Sequence, residues 1–170
     1  SEEEVIGLQA EKHELVSADS FASLEEYSLF LIHKKAYEEA AKLAQGLRVL
    51  DLGCNTGYGT QIIAQNARSV IGIDVSPRAI AEAKRLYPGL DLQLVDGRSL
   101  PFPDRSFDVV VSFQVIEHIT EPDRYLHEIK RVLVSDGVLL ITTPNAALRL
   151  PGDMKPWNPF HIREYRADEM

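Results

Sequence analysis

Apolar residues recur along this chain with two alternating periods. Residues 27–44 carry them at helical spacing, predicting a helix that leads into a short apolar run at 48–51. A glycine-rich turn follows, then helical spacing over 60–66 and a second apolar run, Val70-Ile71-Gly72-Ile73, that ends at Asp74. Ser76-Pro77 reads as an N-cap followed by proline at the first helical position, with Ala79, Ile80, Ala83 and Leu86 as the buried stripe. Strands are predicted at 90–95 and 107–113. Tyr125, Leu126, Ile129, Val132 and Leu133 then mark a core-facing helix, and a fifth strand at 138–143 is stopped by Pro144. Strands alternating with helices of about a dozen residues imply right-handed crossovers and a parallel sheet. No internal repeat or low-complexity tract interrupts the pattern.

The turn after the first strand, Gly53-Cys54-Asn55-Thr56-Gly57-Tyr58-Gly59, concentrates the chemistry. Glycines allow a sharp turn and close approach to a ligand. The N–H groups opening the next helix favour a carboxylate or phosphate. A carboxylate at the tip of the second strand, Asp74, suits the two hydroxyls of a ribose. The glycines fall as G-x-x-x-G-x-G, which is neither the dinucleotide spacing nor a phosphate loop, and no lysine follows to neutralise a phosphate. Asp51 would repel a pyrophosphate. A ligand with an ammonium, a carboxylate and an adenosine fits better than NAD or ATP, and S-adenosylmethionine has all three.

Four segments in order, Val49 to Gly57, Ile73-Asp74-Val75-Ser76, Asp96 to Asp108 and Val115-Ile116-Glu117-His118-Ile119, closely resemble class I S-adenosylmethionine-dependent methyltransferases. The nearest set is the broad methyltransferase-domain group that includes ubiquinone- and glycan-modifying enzymes, and the likeness runs from about residue 37 to 169. It implies a Rossmann-like three-layer α/β sandwich with a mainly parallel sheet. It also implies a cofactor site of Asp51, Gly53, Cys54, Gly57, Tyr58, Asp74, Val75, Asp96, Gly97, Arg98 and Gln114. Asp74 would hold the ribose, Asp96 with the Gly97 and Arg98 backbone would read the adenine, and Asp51, Gly53 and Gln114 would frame the methionyl end. S-adenosylhomocysteine would be the product.

Methyl transfer from a sulfonium is an in-line displacement, so alignment is the main requirement. A base is needed only for an unactivated hydroxyl or a protonated amine, and His118 and His161 are the candidates. Gln114-Val115-Ile116-Glu117-His118 resembles the metal-holding E-x-x-E-H element of some ubiquinone-pathway and small-RNA methyltransferases. Here Gln114 replaces the first acid, which removes a charged ligand. Glu117, His118 and His161 remain as a partial set, and no metal ligand is assigned. Cys54 faces the methionyl part and is not expected to act as a nucleophile. Trp157, Phe160 and Tyr165 suit either a planar acceptor or lid packing. The expected acceptor is a small molecule or a glycan. The competing functions are a metal-assisted RNA 2′-O-methyltransferase and a non-catalytic adenosylmethionine-binding module, with a nicotinamide oxidoreductase the weakest.

Composition changes the picture in two places. The net charge of −8 is lopsided: residues 1–26 hold eight acids and one lysine, net −7, leaving −1 for 27–170. The first stretch reads as an acidic arm, and the second as one methyltransferase core whose hydrophobic content, 45% for the whole chain, is ordinary for a globular domain. Nucleic acid is not an expected partner. Arg149, Lys155, Arg163 and Arg166 make the last third mildly basic. One cysteine excludes an internal disulfide. With no apolar run of the ~18 residues a membrane span needs and no leader-like start, no membrane partner is expected and the cytoplasm is the expected location. The family's sheet has seven strands, the last two an antiparallel hairpin, whereas five are visible here. The chain is therefore expected to be C-terminally incomplete. The apolar edge of strand five should then be covered by residues 144–170 or by a second copy in a homodimer.

Overall fold

The computed structural model describes residues 21–149, 158 and 160–170, together with Glu4, Gly7 and Leu15. Most of the acidic arm, Lys155 and Trp157 lie outside the described residues. The elements are α1 (Leu24–Leu43), β1 (Arg48–Leu52), α2 (Tyr58–Ala64), β2 (Ser69–Asp74), α3 (Pro77–Leu86), β3 (Asp91–Leu94), β4 (Phe107–Phe113), α4 (Pro122–Val132), β5 (Leu133–Thr142) and a short α5 (Ala146–Arg149). Single 3-10 turns lie at Ile116–His118 and Ala167–Glu169.

All four strand pairings are parallel, in the order β3-β2-β1-β4-β5, so the expected Rossmann-like α/β sandwich is what the chain forms. Side chains alternate across the sheet and divide the core. Val49, Val70, Val109 and Val111 pack beneath α1 and α2 with Tyr37, Ala40 and Ile63. Cys54, Ile80, Ala83 and Leu92 seat α3. On the opposite face Leu50, Leu52, Ile73 and Val110 meet Ile129 and Val132 of α4. At the end of the sheet away from the glycine loop, Arg48 grips the Asp108 carboxylate through its backbone N, Nε and Nη2 at 2.8, 3.0 and 2.8 Å. That pair fixes β1 against β4.

Several expected boundaries shift. α1 starts at Leu24, before the expected 27, because Ser23 Oγ accepts from Glu26 N while Glu26 Oε2 accepts from Ala22 N. Leu86, expected in the buried stripe of α3, is 43% exposed in the last turn, and Leu126 of α4 is 38% exposed. β5 starts at Leu133, five residues before the expected 138. Leu133 pairs with Phe107, the register then shifts, and Val138 pairs with Val109. After Tyr165 the chain forms only the 3-10 turn at Ala167–Glu169.

The sheet ends at β5, and among the described residues no strand pairs with its outer edge. Residues 160–165 instead dock at the end of the strand, where Asn145 bridges Tyr165 and Ala146 N donates to Tyr165 O at 2.9 Å. Among the described residues no helix is long and apolar enough to cross a membrane.

Gly59 lets α2 pack closely against Tyr37 of α1. A Cβ there would lie 2.2 Å from Cζ of Tyr37, which is itself 2% exposed. Gly59→Ala gains up to about 1 kcal/mol of helix propensity but forces this ring out of place. The clash should win, lowering unfolding free energy by a net ~1–3 kcal/mol in urea denaturation.

Candidate active site

The tips of β1 and β2 and the turn after β4 open at one end of the sheet, where open α/β sheets take their ligands. β1 passes into the glycine loop through Gly53, whose φ of 72° is accessible at little cost only to glycine. Gly53 N and Cys54 N both donate to Ile73 O, at 2.9 and 3.0 Å, which pins the loop to the tip of β2. A Cβ on Gly53 would come within 2.6 Å of Val115 Cγ2, so the loop also abuts the turn after β4. Gly57 then opens α2, with its N–H donating to Cys54 O at 2.9 Å.

Asp51 is fully buried below this loop. Thr60 Oγ1 donates to its Oδ2 at 2.6 Å and Tyr37 Oη to its Oδ1 at 3.1 Å. Burial pushes its carboxyl up to about 7, with the nearby Asp74 charge adding to the rise and the two hydroxyl donors opposing it. Asp51 thus joins β1, α1 and α2, and its carboxylate faces the helix layer. Tyr58 lies in the same layer, with its hydroxyl bonded to His33 Nδ1 and its ring against Phe30 and Tyr37. The Cys54 side chain is buried among the α3 contacts, and burial raises its thiol far above the ordinary range. Cys54 can therefore meet a ligand only through its backbone.

Asp74, 4% exposed, has one backbone donor on each oxygen: Asn55 N to Oδ2 at 2.9 Å and Ser76 N to Oδ1 at 2.8 Å. Ser76 also caps α3 through Ala79 N. One carboxylate thereby orders the glycine loop and the start of the next helix, and it keeps lone pairs for a ligand. Val75 beside it is half-buried. Asp96, Gly97 and Arg98 form an exposed turn after β3, in which Arg98 N donates to Asp96 Oδ1 at 2.9 Å. The loop beyond is clamped by Arg131, which donates to the Leu100 and Phe102 carbonyls at 2.9 and 2.8 Å and also engages Glu128 and Asp104.

Gln114 follows β4 with φ at 58°, an uncommon conformation for a residue with a side chain. Its N–H donates to Thr142 O at 2.9 Å. The 3-10 turn behind it presents Glu117, buried, and His118, half-buried. Residues 160–165 pack on that turn: Ile162 N donates to Glu117 O at 2.7 Å, and the His118 and His161 rings meet edge to face at 4.9 Å. The two histidines expected on the acceptor side therefore stand together.

The sequence reading missed the residues that hold these groups. Tyr37 and Thr60 fix Asp51, Arg131 fixes the loop after Asp96, and Glu164 accepts from His161. For Thr60, its place one turn after Gly57 in the helix of the glycine loop was an available signal. Glu164 stands three residues after His161, also a local spacing, whereas Tyr37 and Arg131 act across the fold.

Residues 50–141 match the model of the methyltransferase domain family. The chain belongs to this family. It is 42% identical over 141 residues to a probable S-adenosylmethionine-dependent methyltransferase of Mycobacterium tuberculosis, a match covering 83% of this chain and 52% of the relative. It is 30% identical over 118 residues to a ubiquinone biosynthesis O-methyltransferase of Chelativorans sp., covering 66% and 46%. The chain spans about half the length of these curated relatives. Among solved structures, the [4+2]-cyclase SpnF is similar at a TM-score of 0.62 and 30% identity, over 83% of this chain and 54% of that one. The YcgJ protein of Bacillus subtilis reaches 0.68 at 24%, covering 81% and 64%. Family membership makes S-adenosylmethionine the cofactor of this fold.

Asp51 supplies a pH test of the site's foundation. The unfolded chain ionises it near pH 4 and the folded chain at about 7. Between those values the folded state binds more protons, so this group lowers stability as pH rises. Asp51→Asn should reduce the loss of unfolding free energy between pH 4 and 7.5 by about 2–4 kcal/mol, read from urea denaturation at both pH values. An unchanged slope would place the titration elsewhere.

Proposed function

We propose that this chain binds S-adenosylmethionine across the tips of β1 and β2 and directs its methyl group to a small-molecule or glycan-type acceptor. The observation that carries the reading is Asp74, a buried carboxylate held by two backbone donors beside the glycine loop. Its remaining lone pairs suit the ribose hydroxyls. The exposed Asp96–Arg98 turn suits the adenine, and the backbone of Gly53 to Gly57 with Gln114 suits the methionyl end. The names of the relatives support the cofactor and the reaction class, and an O-methyltransferase among them supports a hydroxyl acceptor.

The acceptor would approach from the turn after β4. Its nucleophilic atom attacks the methyl carbon as the carbon–sulfur bond breaks, and the electron pair passes to sulfur, giving S-adenosylhomocysteine. A hydroxyl acceptor must also give up a proton, and His118 and His161 stand on that side. Since a protein of this fold is a cyclase, methyl transfer does not follow from the fold alone. A binding module without transfer is the competing outcome.

Thermal unfolding with S-adenosylhomocysteine, S-adenosylmethionine, NAD and ATP tests the site. The first two should raise Tm by several degrees at ~100 times their Kd, and the others should not. Asp74→Ala should weaken S-adenosylhomocysteine binding by about 1.5–3 kcal/mol in calorimetry, because charge-assisted hydrogen bonds are lost. Unchanged affinity would misplace the ribose site.

A further inference from the structure

The loop between β3 and β4 divides into two stretches that are held in different ways. From Leu100 onwards its backbone is gripped by α4. Leu100 N donates to Glu128 Oε2 at 3.0 Å, and Leu100 O accepts from Arg131 Nη2 at 2.9 Å, so both backbone polar groups of one residue go to a single side-chain pair. Arg131 Nη1 reaches the Phe102 carbonyl and the Asp104 carboxylate at 2.8 and 2.9 Å, and the Arg131 carbonyl accepts from Arg105 N at 3.0 Å. The pair is itself bidentate, with Arg131 Nε and Nη2 donating to Glu128 Oε1 and Oε2 at 2.8 and 2.9 Å. All the N–H donors of the guanidinium are thereby engaged, and no other side chain has enough of them in one plane to do this. Arg131 holds the Glu128 carboxyl down at about 2, so the clamp stays charged at neutral pH. Before Leu100 comes the exposed Asp96–Arg98 turn, whose upstream anchor is Val95 N donating to Asp74 O at 3.0 Å. The turn is slung between Asp74 on one side and the Glu128–Arg131 pair on the other.

We infer that Glu128 and Arg131 are positioning residues for cofactor selection: through Leu100 they hold the Asp96–Arg98 turn where it reads the amino group of adenine. They thereby set the preference for adenine over other bases, an assignment that rests on the S-adenosylmethionine reading above. Neither side chain has to touch the ligand. The bond from Arg98 N to Asp96 Oδ1 shapes the turn but does not fix where it stands relative to Asp74. Ribose and base belong to one stiff nucleoside, so the contacts to Asp74 and to the turn must keep a set separation. A hydrogen bond weakens steeply with distance and angle, so a turn released at Leu100 loses its contact to the base first. The ribose and methionyl contacts, carried by β2 and the glycine loop, stay in place. Base selectivity, more than overall binding, is what this clamp controls.

The test is calorimetry with S-adenosylhomocysteine and S-inosylhomocysteine, the second carrying a carbonyl oxygen in place of the adenine amino group. The unaltered chain should prefer the first by about 10-fold or more, because an acceptor built for the amino group is left facing a carbonyl. Arg131→Met and Arg131→Lys should both bring that ratio below about 3 through loss of S-adenosylhomocysteine affinity alone, since one ammonium cannot span the loop carbonyls and the carboxylate. Glu128→Gln keeps an acceptor for Leu100 N and should give an intermediate ratio. It carries the test if urea titration shows the arginine variants unfolded. Arg85→Met removes the same bidentate arrangement with Glu82 on the exposed side of α3 and should leave the ratio unchanged. A ratio kept in the folded variants, an equal loss for both ligands, or an unaltered chain that binds both alike would each overturn the inference while the cofactor site stands. Binding of neither ligand by the unaltered chain would overturn the S-adenosylmethionine reading and the inference with it.

Discussion

The path of the glycine loop depends on one wholly buried carboxylate, Asp51. Asp51, next to last in β1, has no exposed surface, and the hydroxyls of Tyr37 and Thr60 converge on its two oxygens. Leaving such a group unsatisfied would cost several kcal/mol, so α1 and α2 can settle only where both hydroxyls reach it. Gly59 permits that approach because any larger residue would strike the Tyr37 ring. The glycine loop, strung between β1 and α2, inherits its path from this buried constraint. Asp74 then fixes the loop's far side.

The side of the crevice proposed for the acceptor combines two supports. The turn after β4 leans on the end of β5, where Gln114 N donates to Thr142 O and Thr143 Oγ1 to Glu117 Oε2. It is also held by Ile162 N, from a remote segment, and by the His118 imidazole against Phe160 O. The side proposed for the cofactor therefore relies on the sheet, while the side proposed for the acceptor relies in addition on how the later part of the chain docks. This division accounts for how the two halves read in sequence. The cofactor half is local: strand, glycine loop, helix, strand and acid follow one another within a few dozen residues, and β4 appears at its observed bounds. The Ser76 cap was equally legible.

What escaped the sequence was non-local or over-extended. Tyr37 lies 14 residues before Asp51 on a helix whose spacing says only that it packs. Arg131 meets the Leu100 carbonyl 31 residues away, and nothing near either position announces the contact. Leu86 and Leu126 continue a helical stripe past the point where the core receives it, so periodicity alone assigned them inward. The early start of β5 depends on a register shift against β4, which is a property of the pair and not of the strand. The α1 start differs in kind, because Ser23 and Glu26 stand in the spacing of a capping box and could have been read.

The contact between Gly53 and Val115 carries a consequence for how such a chain can vary. A single methyl group separates the loop that would hold the cofactor from the turn that would face the acceptor. Bulk added at either position is therefore felt at the other. Changes in acceptor preference that enlarge the residue at 115 would push on the cofactor loop, and their effect would depend on whether neighbouring positions had already made room. Under the proposed function, substrate range and cofactor affinity would be epistatic, and an evolutionary path between acceptors would run through ordered, paired substitutions.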